Sequence, residues 1–80
     1  MLKLKVISPE KVVFNGEVES VTVPGMLGEF EILEHHAPII SALEKGKVRY
    51  LPTGSEPASL DIEGGFVEVL KNQVSLCVEL

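Results

Sequence analysis

Apolar side chains recur at every second position along most of this chain, and that period dictates the fold class. Leu2, Leu4 and Val6 alternate with Lys3 and Lys5, and Val21 and Val23 with Ser20 and Thr22. Val48 and Tyr50 alternate with Lys47, Arg49 and Leu51; Leu60 and Ile62 with Asp61 and Glu63; Val74, Leu76, Val78 and Leu80 with Ser75, Cys77 and Glu79. Successive side chains of a strand point to opposite faces, so each segment reads as a strand with one buried face. No segment sustains a 3.6-residue period. His36 to Leu43 has room for one helical turn, but Pro38 and the β-branched pair Ile39-Ile40 oppose more.

Turn chemistry punctuates these segments at short intervals. Pro9-Glu10 follows the first strand, and Asn15-Gly16 is the strongest hairpin signal, because both residues tolerate the positive φ of a type I′ turn. Pro24-Gly25 opens a glycine-punctuated loop, Gly46 starts a strand, and a loop spans Pro52 to Pro57. Gly64-Gly65 and Lys71-Asn72 complete the set. Short strands with evenly spaced turns predict an all-β, antiparallel sandwich or barrel. With no linker or repeat among the 80 residues, a single domain over 1–80 is expected.

Charge narrows the partners. Seven Lys+Arg against twelve Asp+Glu give a net charge of −5. An acidic surface repels phosphate backbones and anionic lipid, so no nucleic acid and no direct membrane insertion are expected. The lone Cys77 cannot form an internal disulfide, and no apolar run approaches the roughly 18 residues of a membrane helix. Catalysis finds no footing either. His35 and His36 as strand neighbours point to opposite faces and cannot share a metal ion. Glu29 and Glu31 share a face without a nucleophile beside them, and Ser41, His36 and Asp61 lack a motif that positions the serine. No Walker or dinucleotide loop is present, so the expectations are no enzyme, no cofactor and no ATP binding. Ile7, Leu51, Phe66 and Leu70 stand on faces opposite the apolar sets. Either a partner covers them or sheet curvature brings them inside.

Three stretches, Ser8-Pro-Glu-Lys-Val-Val-Phe-Asn-Gly-Glu-Val, Val21-Thr-Val-Pro-Gly-Met-Leu-Gly-Glu-Phe-Glu-Ile-Leu and His36-Ala-Pro, resemble the N-terminal domain of bacterial F-type ATP synthase epsilon subunits. Leu43-Glu-Lys-Gly-Lys-Val-Arg, Gly64-Gly-Phe-Val-Glu-Val and Asn72-Gln-Val continue the likeness in the same order. The resemblance implies a sandwich of two roughly five-stranded sheets in a non-catalytic subunit of the rotor stalk. Such a subunit lies peripherally at the cytoplasmic face of the bacterial inner membrane and couples proton flow to ATP synthesis. It also implies two partners. The gamma subunit would lie near Ser8, and the loops of the c-subunit ring would meet Gly25, Gly28, Glu29 and Phe30, with His36 at the same end. Glu31 stands where the family usually has glycine, and Glu34-His35 where Pro-Gly is common. The likeness stops at Leu80, where typical members continue into two helices that inhibit hydrolysis, so that activity is not carried over. The competing assignment is a lipoyl- or biotinyl-type carrier sandwich, for which Lys71 beside Asn72 is the candidate attachment site.

Overall fold

A computed structural model describes residues 1–80, and the all-β expectation is borne out. Eight strands follow in order: β1 (Leu2–Ile7), β2 (Val12–Gly25), β3 (Gly28–Ile32), β4 (Ile39–Leu43), β5 (Gly46–Pro52), β6 (Ala58–Ile62), β7 (Gly64–Leu70) and β8 (Gln73–Glu79). The stretch around Pro38 is not helical, and Ile39-Ile40 opens β4 instead.

One strand, β2, runs through two halves of a folded-over sheet. Its first part pairs with β1, placing Leu2 against Val18, Leu4 against Gly16 and Val6 against Phe14. Its last part pairs with β3 on one edge and β5 on the other. The register against β5 shifts between Val18 and Ser20. That irregularity lets Val18 face the core in one half and Val21 and Val23 face it in the other, a spacing that unbroken alternation forbids. The first half holds β4-β7-β8-β1 and the start of β2; the second holds β3, the end of β2, β5 and β6. All pairings are antiparallel except β1 with β8, which is parallel.

The inward rows of both halves meet in one cluster of 15 buried apolar residues, with Leu2, Leu4, Val6, Val67 and Leu76 from the first half and Val21, Val23, Ile32, Val48 and Ile62 from the second. Phe14 and Tyr50 reach across from opposite halves, ring centroids 4.8 Å apart, in the tilted geometry that aromatic quadrupoles favour. No polar or charged side chain is buried, so the core carries no unmet hydrogen bond.

The Asn15-Gly16 turn expected from sequence does not form. Both residues lie inside β2, opposite Lys5 and Leu4, and neither has positive φ. The reversal occurs only at the expected Pro9-Glu10 position, where the Ser8 N–H donates to the Lys11 carbonyl at 2.9 Å. Gly16 serves packing: a Cβ there would come 3.3 Å from the Phe14 ring. Lys71 and Asn72, with φ of 51° and 60°, make the two-residue hairpin between β7 and β8. Pro24-Gly25 also belongs to β2, and the loop shrinks to a Met26-Leu27 tip between the paired Gly25 and Gly28.

Candidate docking surfaces

Two exposed regions carry the residues singled out from sequence. The first is the outer face of the β4-β7-β8-β1 half. Strand register sets Ala42 beside Phe66, Phe66 beside Cys77, Cys77 beside Ile7 and Ile7 beside Val12. An apolar row therefore crosses five strands without a charge in it. Phe66 is 49% exposed and Val12 56%, so curvature does not take them inside. Leu70 is likewise half exposed, whereas Ile7 and Leu51 are partly covered. A shallow groove of about 300 Å³ runs along the row between Ile7, Ser8, Pro9, Phe66 and Val78, and Glu79 also lines it. Ser8 stands at its rim, its hydroxyl donating to the Lys11 carbonyl at 3.3 Å.

The second region is the β2–β3 hairpin, which brings Gly25, Gly28, Glu29, Phe30 and His36 together. Gly25 is fixed by close approach: an added Cβ would stand 2.7 Å from the Gly28 carbonyl and 2.8 Å from the Phe30 ring. Gly28 has open space around it but a φ of 132°, which side chains rarely adopt. Phe30 lies with its ring 6.4 Å from that of His36. The Nδ1–H of His36 donates to the Ala37 carbonyl at 2.8 Å. Two further links fasten the hairpin to the first half: the Met26 N–H donates to the Ala42 carbonyl at 3.2 Å, and the Glu44 N–H to the Pro24 carbonyl at 2.9 Å. The tip beyond this frame is bare, with Leu27 105% and Met26 58% exposed.

Glu29 is not a free carboxylate. Its Oε2 accepts from Arg49 Nη2 at 2.8 Å, across the width of β2. The loop that departs from the family pattern is also tied down. His35 takes φ 67°, its N–H donates to Asn72 Oδ1 at 2.7 Å, and Glu34 pairs with the Met1 ammonium. The hydrogen bond from Met1, followed by its charge, holds the Glu34 carboxyl below the usual glutamate range. His35 and His36 are thus separated by a turn rather than by strand alternation, and no three potential metal ligands gather anywhere. Ser41 donates to the Ala42 carbonyl and Asp61 pairs with Lys47, so neither joins His36 in a triad. Lys71 does stand at a hairpin tip, but the tip is anchored, because the Asn72 carbonyl accepts from the Lys3 N–H at 2.9 Å.

The sequence reading missed Ala42 and Arg49, while Met26 and Leu27 lay inside the Gly25 to Phe30 loop that the resemblance assigned to the ring. The spacing Gly25-x-x-Gly28 held the signal for the bare tip. Nothing local signalled Arg49, which lies 20 positions from Glu29.

The family model for the ATP synthase delta/epsilon chain beta-sandwich domain matches residues 1–80. The chain belongs to that family. An ATP synthase epsilon chain of Chlorobium limicola is 46% identical over 77 residues, covering 96% of this chain and 88% of the relative. The epsilon chain of Leptospira interrogans is 44% identical over 78 residues, and the match spans 61% of its length. Among solved structures, the fold resembles a chain of the Euglena gracilis mitochondrial ATP synthase with a TM-score of 0.89 at 22% identity, covering 96% of this chain and 49% of that one. A chain in the central stalk and c-ring structure of the Tetrahymena thermophila enzyme gives 0.85 at 17% identity, covering 99% and 63%. The fold thus stays recognisable where few residues agree. The carrier assignment finds no counterpart in these likenesses.

Proposed function

We propose that this chain is a single epsilon-type sandwich domain, residues 1–80, acting as a non-catalytic rotor-stalk subunit of a proton-translocating ATP synthase. It joins the gamma subunit to the c-subunit ring, and so lies peripherally at the cytoplasmic face of the bacterial inner membrane. No helix is long and apolar enough to cross a membrane. The observation that carries this reading is the charge-free row Val12–Ile7–Cys77–Phe66–Ala42. A contiguous apolar strip on a small acidic domain is costly to leave wet, and a protein partner that covers it recovers that cost. Gamma is assigned to this face, with Ser8 at the rim of its groove.

The ring loops are assigned to the hairpin, where Gly25 and Gly28 shape a narrow tip and Phe30 and His36 brace it from behind. Glu29 offers its remaining carboxylate oxygen there. The subunit does no chemistry in this scheme; it transmits force as a rigid body, and the backbone links from Met26 to Ala42 and from Pro24 to Glu44 connect the two surfaces. The test is to titrate the labelled chain onto a gamma–c-ring rotor freed of its own epsilon, then follow ATP-driven proton pumping in the completed complex. Saturable binding with restored pumping is expected. Absence of binding to the rotor overturns the proposal.

A further inference from the structure

Glu29 and Glu31 stand two residues apart on the outer face of β3, opposite Pro24 and Thr22 of β2. Thr22 is also the partner of Arg49 on β5, so Arg49 lies level with Glu31 across the strand. Its guanidinium nevertheless reaches diagonally to Glu29, meeting only Oε2 at 2.8 Å. The nearby cations have other partners: Lys47 pairs with Asp61 at 3.1 Å and Lys45 with Glu63 at 3.8 Å. Pro24 lies beside Glu29 on the strand between and offers no N–H that could hold the carboxylate in place of Arg49.

From this geometry we infer that Arg49 is a positioning residue for Glu29: it fixes the carboxylate beside the hairpin tip with Oε1 free to accept a hydrogen bond from the docked partner. The inference rests on the proposed docking of the ring at the hairpin, and it adds a residue outside that contact. The physical reason is preorganisation. A free glutamate must lose its rotamer freedom when a partner arrives, whereas one already held by a planar guanidinium has lost much of it beforehand. Arg49 also offsets one of two neighbouring carboxylates, so the tip approaches its partner with less local charge than the sequence suggests.

A double-mutant cycle with Glu29→Gln and Arg49→Met, read as affinity of the full chain for the gamma–c-ring rotor, tests this. Arg49→Met should weaken binding about three- to fivefold when Glu29 is present, the scale of an exposed pair, and leave it unchanged on the Glu29→Gln background. Arg49→Lys, which keeps the charge and loses the fork, should recover only part of the loss. An equal cost of Arg49→Met on both backgrounds, or no cost on either, overturns the positioning role while leaving the docking surface standing. Glu29→Gln binding as tightly as the wild-type chain overturns both the contact at Glu29 and the role of Arg49.

Discussion

The two halves of the sandwich bury equivalent apolar rows but differ outward: the first carries an uncharged row across five strands, beside the exposed Lys3, Lys5 and Glu68. The β4-β7-β8-β1 half shows Ala42, Phe66, Cys77, Ile7 and Val12 in one uncharged row. The β3-β2-β5-β6 half shows three ion pairs: Arg49 with Glu29, Lys47 with Asp61 and Lys45 with Glu63. Both rest on the same core, so stability does not demand the difference. Exposed ion pairs contribute little to folding, but they keep a sheet surface soluble and unattractive to other sheets. An exposed apolar row does the reverse. The contrast separates an apolar strip suited to burial against a partner from a charged sheet surface that meets a partner only at its hairpin edge.

The strongest way to break this contrast is to place one charge in each half. Phe66→Asp puts a carboxylate in the middle of the apolar row. Docking would then bury it unpaired, at a cost of about 2–4 kcal/mol in affinity for the rotor. Ser55→Asp places the same group in the exposed loop between β5 and β6, where it meets water. No change in binding is expected there. Isothermal titration of both variants onto the gamma–c-ring rotor decides the matter, and equal losses would mean that the two halves do not differ in role.

The hairpin belongs to both halves, since Gly25 pairs with Gly28 in one and with Leu43 in the other. Gly25→Ala forces a methyl into the Gly28 carbonyl and the Phe30 ring. Overpacking of this kind costs about 1–3 kcal/mol, which in so small a domain lowers the melting temperature by roughly 4–8 °C per kcal/mol. An unchanged melting temperature would show that the hairpin moves aside freely and does not couple the faces. Smaller still is the effect expected on the charged half. Lys47→Ala should cost about 0–1 kcal/mol, a difference that shrinks further in high salt. A larger loss, measured by chemical denaturation, would make that face a stabilising network rather than a solvated one.

Much of this arrangement was legible from sequence because parity along a strand is local information. Val67 and Val69 inside require Phe66 and Leu70 outside, and both are half exposed. Parity says nothing about which strand pairs with which. That Phe66, Cys77 and Ile7 form one row depends on the parallel β1–β8 contact, made between segments at opposite ends of the chain. The first part of β2 was hidden by Asn15-Gly16, whose turn preference gives way once Gly16 pairs with Leu4 and lies beside the Phe14 ring. In the docking region, two glycines marked the hairpin tip. The bond from Arg49 to Glu29 was invisible, because it joins β5 to β3, two strands that do not pair with each other but flank β2.

One ion pair joins the halves instead of decorating one of them, and it carries the smallest predicted effect. Met1 leads into β1 of the apolar half, and Glu34 follows β3 of the charged half, with the Met1 ammonium on Glu34 Oε2. Hydrogen bonding to that ammonium, then its charge, lowers the folded carboxyl relative to an ordinary glutamate, with a minor contribution from His35. A depressed carboxyl favours the folded state above the unfolded value of about 4.3, and the gain is lost as pH falls through the folded value. Thermal melts of the wild-type chain and Glu34→Gln should therefore differ by a small constant amount between about pH 5 and 7 and converge as pH falls through the lowered folded value. Acetylating the Met1 amine should abolish the difference without acid. If the two chains differ equally at every pH, Glu34 acts through the shape of its turn, which the His35–Asn72 hydrogen bond also holds, and the halves are joined there by backbone rather than by charge.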